Sequence, residues 1–143
     1  MDTGSSAFIL ICSAMVCLMT PALAFFYGGL GRRKNVINTM MMSVLPLAIA
    51  SLLWIVAGYS LSFGGHGNFF GNFSHLFLNG VSETASSRGL TIPDMLFVAF
   101  QMMFAMITPA LITGSLVGRV RFKALFIFIL LWSIIVYYPM AHM

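Results

Sequence analysis

Four long apolar segments, separated by shorter polar stretches, dominate the pattern of hydrophobic and polar positions along this chain. They cover residues 7–27, 36–61, 95–117 and 124–138, approximately. About 20 apolar residues in an α-helix cross a hydrocarbon layer of about 30 Å, and the last segment is the shortest of the four. The pattern predicts four transmembrane helices in a single membrane unit that covers residues 1–143.

The composition agrees with this interpretation. Of the 143 residues, 60% are hydrophobic and 7% are charged, and the mean hydropathy is +1.00. These values exclude an ordinary soluble domain and predict an all-α polytopic protein whose main surroundings are the lipid bilayer. A nucleic-acid partner is not expected, because nucleic-acid binding needs a basic face on a folded soluble surface.

The basic residues predict the orientation in the membrane. Six of the seven lie in two short loops, 28–35 and 118–123: Arg32, Arg33, Lys34, Arg119, Arg121 and Lys123. Lysine and arginine in short loops stay cytoplasmic, so we expect a multi-pass protein of the cell membrane with its N-terminus outside. The loop 62–92 is then external. It is rich in glycine, and a short surface helix is expected over Phe69–Leu78.

The third segment carries a stripe of aromatic and hydroxyl side chains. The Pro93–Asp94 pair suits the first turn of a helix. At 100° per residue, six positions then share one face: Phe97, Phe100, Phe104, Thr108, Leu111 and Ser115. Small residues lie on another side, at Ala99, Ala110 and Gly114, and permit close helix contact.

Two interpretations of this stripe stay open at the level of the residues alone. In the first, the phenylalanines pack against other helices or face lipid. In the second, they form a site for a small cation. The interaction between a ring face and a cation contributes about 2 kcal/mol where water is scarce. Ring edges also close a narrow path to water and ions.

Other chemistry has little support. The acidic residues, Asp2, Glu83 and Asp94, fall outside the hydrocarbon or at its edge. This argues against ion-coupled carriers, which usually hold a carboxylate within the membrane. The histidines, His66, His75 and His142, lie in the outer loop and near the last residue, a poor arrangement for a metal. We therefore expect no enzyme activity, no metal and no cofactor, and we interpret Cys12 and Cys17 as packing residues.

Several blocks of residues resemble, in the same order, those of the ammonium transporter (Amt/Mep/Rh) family of the bacterial type. They are Ala24–Leu30, Arg33–Asn35, Trp54, Gly58–Gly64, Asn68–Asn72, Phe100-Gln101-x-x-Phe104-Ala105, Ile107-Thr108, Arg119-x-Arg121-Phe122 and Tyr138–His142. They extend over essentially the whole chain.

The resemblance implies a homotrimer in which each subunit has about eleven spanning helices and its own pore. Phe100 matches a ring that lines the external ammonium-recruitment site. Phe104 matches a position that serves both this site and the upper ring of a phenylalanine gate. In the family, ammonium is thought to lose its proton on entering a hydrophobic pore, and ammonia passes twin histidines.

The sequence also departs from the family pattern. It stops at Met143, before the recruitment-site tryptophan, the structural aspartate of the next helix, the second gate phenylalanine and both pore histidines. His142 matches a family histidine near the outer edge, which is not a pore histidine. We expect the first-four-helix portion of an ammonium channel, without a complete pore by itself. The alternative is a non-transporting four-helix membrane interaction protein derived from a truncated transporter. Ammonium ion, ammonia with a separate proton, and methylammonium all remain open as the transported species.

Overall fold

Four long helices form the fold in a computed structural model that describes residues 2–84, 86–116 and 118–143. They are α1 (Thr3–Leu30), α2 (Arg33–Phe63), α3 (Asp94–Leu116) and α4 (Phe122–His142). Each is long and apolar enough to cross a membrane, and the described residues contain no strand. The predicted all-α membrane class with four helices is confirmed.

The helices extend beyond the apolar segments that predicted them. Helix α4 has 21 residues and continues through Tyr138 to His142. Hydropathy marks only the apolar part of a helix, whereas the helix itself continues into more polar residues at the membrane boundary. Helix α3 begins at Asp94, directly after the N-cap residue Pro93. Val117, the last residue of the predicted third segment, lies outside the described residues.

Two of the helices contain a π-helical turn, a feature that the sequence did not predict. In α2 the turn covers Trp54–Gly58, and the Tyr59 amide donates to the Trp54 carbonyl. In α4 it covers Ser133–Tyr137, and the amide of the following residue donates to the Ser133 carbonyl. Such a turn fits one extra residue into an α-helix, and these turns are often found at functional sites.

Helix α2 packs against the other three helices, and two apolar clusters form the core. One cluster joins α2, α3 and α4 in the half of the bundle near the long loop: Trp54, Tyr59, Val98, Ala105 and Tyr138. The other joins α2 and α4 in the opposite half: Met42, Ile49, Leu125 and Ile129. The side of α3 that carries the small residues also faces the bundle, since Ala110 is fully buried.

Buried hydroxyl groups and close contacts hold α1, α2 and α3 together. The Ser43 and Thr113 hydroxyls lie 3.2 Å apart between α2 and α3. The Tyr27 hydroxyl of α1 donates to the Leu111 carbonyl of α3 at 2.9 Å. The Tyr27 ring lies directly against Gly114, where a Cβ atom would overlap it. These contacts need hydroxyl or small side chains, as is usual where membrane helices approach closely.

The two ends of the bundle differ in chemistry. At one end, Arg32 and Arg119 line the same cavity of about 430 Å³. At the other end, the Asp2 amide donates to the Thr91 carbonyl at 3.0 Å, and His142 lies against the loop that follows α2. Both basic loops therefore lie at one end, and the long loop lies at the other end with Asp2 and His142.

Asp2 caps the first helix at this end. Its carboxylate accepts hydrogen bonds from the Gly4 and Ser5 amides at 3.2 Å each, and from the Ser5 hydroxyl at 2.6 Å. These bonds, with the one from the Ser5 side chain contributing most, hold the pKa of Asp2 below its ordinary value. The cap satisfies two of the free amides at the start of α1.

The prediction of a surface helix over Phe69–Leu78 is wrong. Only a 3₁₀ turn, Leu76–Leu78, is present, and Phe77 has a positive φ of 54°. The start of the segment is held against α2 instead, because the Gly71 amide donates to the Leu61 carbonyl at 2.7 Å. An amide paired in this way cannot form the bonds of a helix within its own segment.

Candidate functional site

Phe100 and Phe104 form a pair of aromatic rings on helix α3. Their ring centroids lie 5.1 Å apart, and the ring planes meet at 82°, an edge-to-face arrangement. The spacing of four residues places the two side chains one above the other on one face of the helix. Phe100 is half-buried, and Phe104 is 38% exposed.

The stripe below this pair is only partly covered by the other three helices. Leu111 and Ser115 are exposed, and Thr108 is half-buried. Val98 and Ala110, on the opposite side of the helix, are buried. Phe104 therefore does not belong to the core that the described residues of the four helices form.

The surroundings of the ring pair are apolar. No charged side chain occurs from Met95 to Val117 in the sequence. The Thr108 hydroxyl, one turn below Phe104, donates to the Phe104 carbonyl at 2.7 Å. A mainly apolar cavity of about 320 Å³ begins at Thr108 and extends along Trp132 and Tyr137 of α4. Such surroundings suit the attraction of a cation to ring faces, because little water competes for its charge.

Phe97, the first member of the stripe, has different partners. Its ring lies 5.2 Å from that of Phe63 on α2, again edge-to-face. The guanidinium carbon of Arg88 lies 5.2 Å from the same Phe97 ring. The stripe therefore has two parts. Phe97 packs on α2 and the loop, whereas the Phe100–Phe104 pair does not. Periodicity alone could not show this division, because Arg88 lies outside the helix.

Asp94 anchors the long loop between α2 and α3 to the start of α3. The carboxyl group is buried, and it accepts hydrogen bonds from the Ser87 amide at 2.8 Å and the Ser87 hydroxyl at 2.6 Å. The Ser86 hydroxyl lies 3.4 Å from the other carboxylate oxygen. The sequence predicted Asp94 at the edge of the membrane, but its partners could not be recognised among the many serines of the loop.

His142 connects the end of α4 to the loop after α2. Its Nδ1 atom lies 3.0 Å from the Ser62 carbonyl oxygen, and its Nε2 atom lies 2.7 Å from the Gly67 carbonyl oxygen. Both ring nitrogens are therefore engaged by the backbone at the end of the bundle that holds the long loop.

A metal centre is not evident in the described part of the chain. No group of three histidine, cysteine, aspartate or glutamate side chains is placed to hold an ion there. Cys12 and Cys17 are both free and half-buried.

Residues 7–143 match the family model described as Ammonium Transporter Family. The chain belongs to this family. It is 46% identical over 145 residues to an ammonium transporter of Aquifex aeolicus, 43% over 157 residues to one of Mycobacterium tuberculosis, and 42% over 142 residues to one of Bacillus subtilis. These alignments cover 99% of the chain and 34%, 33% and 35% of the respective relatives.

Solved structures of this family share the fold. The Mep2 structure of Candida albicans matches with a TM-score of 0.86 at 30% identity, over 99% of the chain and 31% of Mep2. That of Saccharomyces cerevisiae Mep2 matches with 0.84 at 34% identity, over 98% and 33%. The chain spans about a third of the length of these relatives. It is a multi-pass membrane protein of a transporter family, and the predicted family is confirmed.

Proposed function

We propose that this chain forms the outer part of an ammonium-conducting pore, with Phe100 and Phe104 at its external entrance. The observation that carries the proposal is the edge-to-face ring pair at 5.1 Å on a helix without charges. In a chain of the ammonium transporter family, rings that are not used by the core are available for the substrate.

The depth of the two rings suits a sequence of recruitment and gating. With Pro93 at the surface, Phe100 lies roughly 10 Å down and Phe104 roughly 16 Å down at 1.5 Å per residue. An ammonium ion from outside is attracted to the ring faces, and the deeper ring narrows the path. Beyond it, the apolar surroundings favour neutral ammonia over the charged ion, because a charge is costly to desolvate.

The orientation belongs to the same proposal. The N-terminus lies outside the cell, and loops 28–35 and 118–123 lie in the cytoplasm. The proposal is supported by the two basic loops, whose Arg32 and Arg119 line one cavity at one end of the bundle. Residues 1–143 act as a single membrane unit, and the subunits of the whole transporter assemble as a homotrimer in the cell membrane, as in the family that the chain resembles.

The proposal is tested by transplanting the chain into a relative. Residues 1–143 replace the matching third of the Bacillus subtilis ammonium transporter, which aligns over 142 residues. Uptake of labelled methylammonium is then measured in cells that lack ammonium transporters of their own. We expect uptake by the chimera, and a loss of about tenfold for Phe104→Ala if the removed ring contributes about 1.4 kcal/mol.

Two matched variants control for the loss of any aromatic ring. Phe128→Ala removes a ring of α4 with nearly the same exposure, 40%, and is expected to keep uptake. Phe97→Ala is expected to reduce uptake less than Phe104→Ala, because Phe97 lies higher on the stripe. Equal, undiminished uptake by all three variants would contradict the roles of these rings. A chimera that inserts and assembles normally but takes up nothing would favour the membrane interaction protein instead.

A further inference from the structure

A positively charged side chain lies within a cage of three aromatic rings at the outer end of the bundle. The guanidinium carbon of Arg88 is 4.8 Å from the ring centroid of Phe63, 5.2 Å from that of Phe97 and 5.7 Å from that of Tyr59. All three distances are within the roughly 6 Å over which a ring attracts a cation. The rings come from α2 and α3, whereas the arginine comes from the loop.

Neutral oxygen atoms complete the cage. Nη2 of Arg88 donates to the Phe63 carbonyl at 2.8 Å and lies 3.4 Å from the Tyr59 hydroxyl. A planar cation with several N–H donors fits this combination of ring faces and acceptors, because a guanidinium group can stack and donate at the same time.

The walls of the cage have core contacts of their own, in addition to those with the arginine. Tyr59 is 3% exposed, and the Trp54 ring lies 6.1 Å from both Tyr59 and Phe63. Phe97 packs against Phe63 from the α3 side. Arg88, in contrast, is exposed. The ring positions are therefore supported by contacts that do not involve the occupant.

The loop has a second attachment that is independent of the cage. Ser87, the residue before Arg88, is held by the buried carboxylate of Asp94 through its amide and its hydroxyl. The arginine side chain can leave the rings while the backbone beside it stays anchored. This arrangement permits exchange of the side chain for a free cation without unfolding of the loop.

We propose that Tyr59, Phe63 and Phe97 form a binding cage for planar organic cations of the guanidinium class, and that Arg88 is its tethered occupant. The cage is separate from the Phe100–Phe104 pair, whose rings contact each other, and it does not depend on ammonium conduction. A free guanidinium-type cation and Arg88 compete for the same rings, so emptying the cage creates an accessible site.

Trp54 provides the readout for a direct test, because it contacts two walls of the cage. The chain contains two tryptophans, so Trp132→Phe leaves Trp54 as the only one. This background is purified in lipid nanodiscs with and without Arg88→Ala, and methylguanidinium is titrated while Trp54 fluorescence is recorded. Sodium chloride at the same ionic strength separates binding from a salt effect.

We expect saturable binding to Arg88→Ala, and binding at least tenfold weaker to the parent whose cage is occupied. Adding Phe97→Leu to Arg88→Ala removes one ring and should weaken binding about tenfold, the equivalent of about 1.4 kcal/mol. Arg119→Ala, at the opposite end, should create no binding. No saturable signal in a folded Arg88→Ala protein, or equal binding after Phe97→Leu, would overturn the proposal.

A second measurement applies if Arg88→Ala does not fold. In ¹⁵N-arginine-labelled protein, the Arg88 Nε–H signal is assigned by its loss in Arg88→Lys. Ring currents from the cage should move this signal upfield, and Phe97→Leu in the otherwise unchanged chain should move it back. A signal at the position of a solvated arginine that ignores Phe97→Leu would equally contradict a tethered occupant.

Discussion

Gly58 lies where α2 passes against the Tyr138 side chain of α4. A Cβ atom at this position would lie 2.6 Å from the Tyr138 hydroxyl oxygen, and Tyr138 is 1% exposed. We expect Gly58→Ala to destabilise the bundle by about 1–3 kcal/mol, because the buried ring has little space to move. Thermal unfolding in detergent measures the loss.

Gly29→Ala is the matched control for this substitution. Nothing lies within 4 Å of a Cβ atom at Gly29, so its effect should stay within about 0.5 kcal/mol. Equal unfolding temperatures of the two variants would show that α2 and α4 do not depend on this close approach.

The residues of the candidate site were only partly accessible from the sequence. A helical period of 100° per residue was enough to place Phe100 and Phe104 on one face, because their spacing is local. The contact of Phe97 with Arg88 depends on a loop that folds back over the helix, and no local pattern reports such a contact. The same holds for Gly58 and Tyr138, which are 80 residues apart by their numbers.

The N-terminal end of helix α3 is organised by a single carboxylate. Asp94 holds Ser87 and Ser86, so its removal should release the loop from the start of the helix. We expect Asp94→Ala to increase hydrogen exchange of the amides in residues 86–91 by at least tenfold, because a hydrogen bond to a charged group contributes about 1.5–3 kcal/mol. Mass spectrometry of peptides from this loop measures the change.

Glu83 offers the control on the same loop. It is exposed, and Glu83→Ala removes an equal charge without removing the bonds to Ser87. Unchanged exchange in Asp94→Ala would show that this carboxylate does not hold the loop. The same increase in both variants would show that loss of charge alone explains the result.

The four helices were predictable because each is a long apolar run, and hydropathy detects such runs regardless of tertiary contacts. The π-helical turns at Trp54–Gly58 and Ser133–Tyr137 were not predictable. Their residues are as apolar as those of an ordinary helix turn, and the extra residue is accommodated through packing between α2 and α4. The prediction of a helix over Phe69–Leu78 failed for a similar reason, since a hydrogen bond to α2 holds the start of that segment.

The whole molecule has one end with the basic loops and another with Asp2, the long loop and His142. With native Cys12 and Cys17 replaced by serine, a cysteine at Thr3 should react with an impermeant thiol reagent in intact cells. A cysteine at Asn35 should react only after permeabilisation, because we expect its short arginine-containing loop to lie in the cytoplasm. The opposite pattern of labelling would reverse the proposed orientation.

The division of the bundle into two ends followed from charge in the sequence, since Lys and Arg are concentrated in two loops. The contacts that hold the long loop against the bundle could not be predicted from this charge distribution. That loop is held by backbone contacts at Gly67 and Gly71 and by the Asp94 carboxylate, all of which depend on how α2, α3 and α4 assemble.

The π-helical turn at Trp54–Gly58 makes the directions of Tyr59 and Phe63 depend on the number of residues in α2. An α-helix turns by about 100° per residue, so the one extra residue sets the direction of every side chain that follows. Deleting Val56 would restore a regular helix and turn Tyr59 and Phe63 away from Phe97 by that angle. A single-residue deletion in the turn would therefore leave an intact helix and still dismantle the aromatic cage.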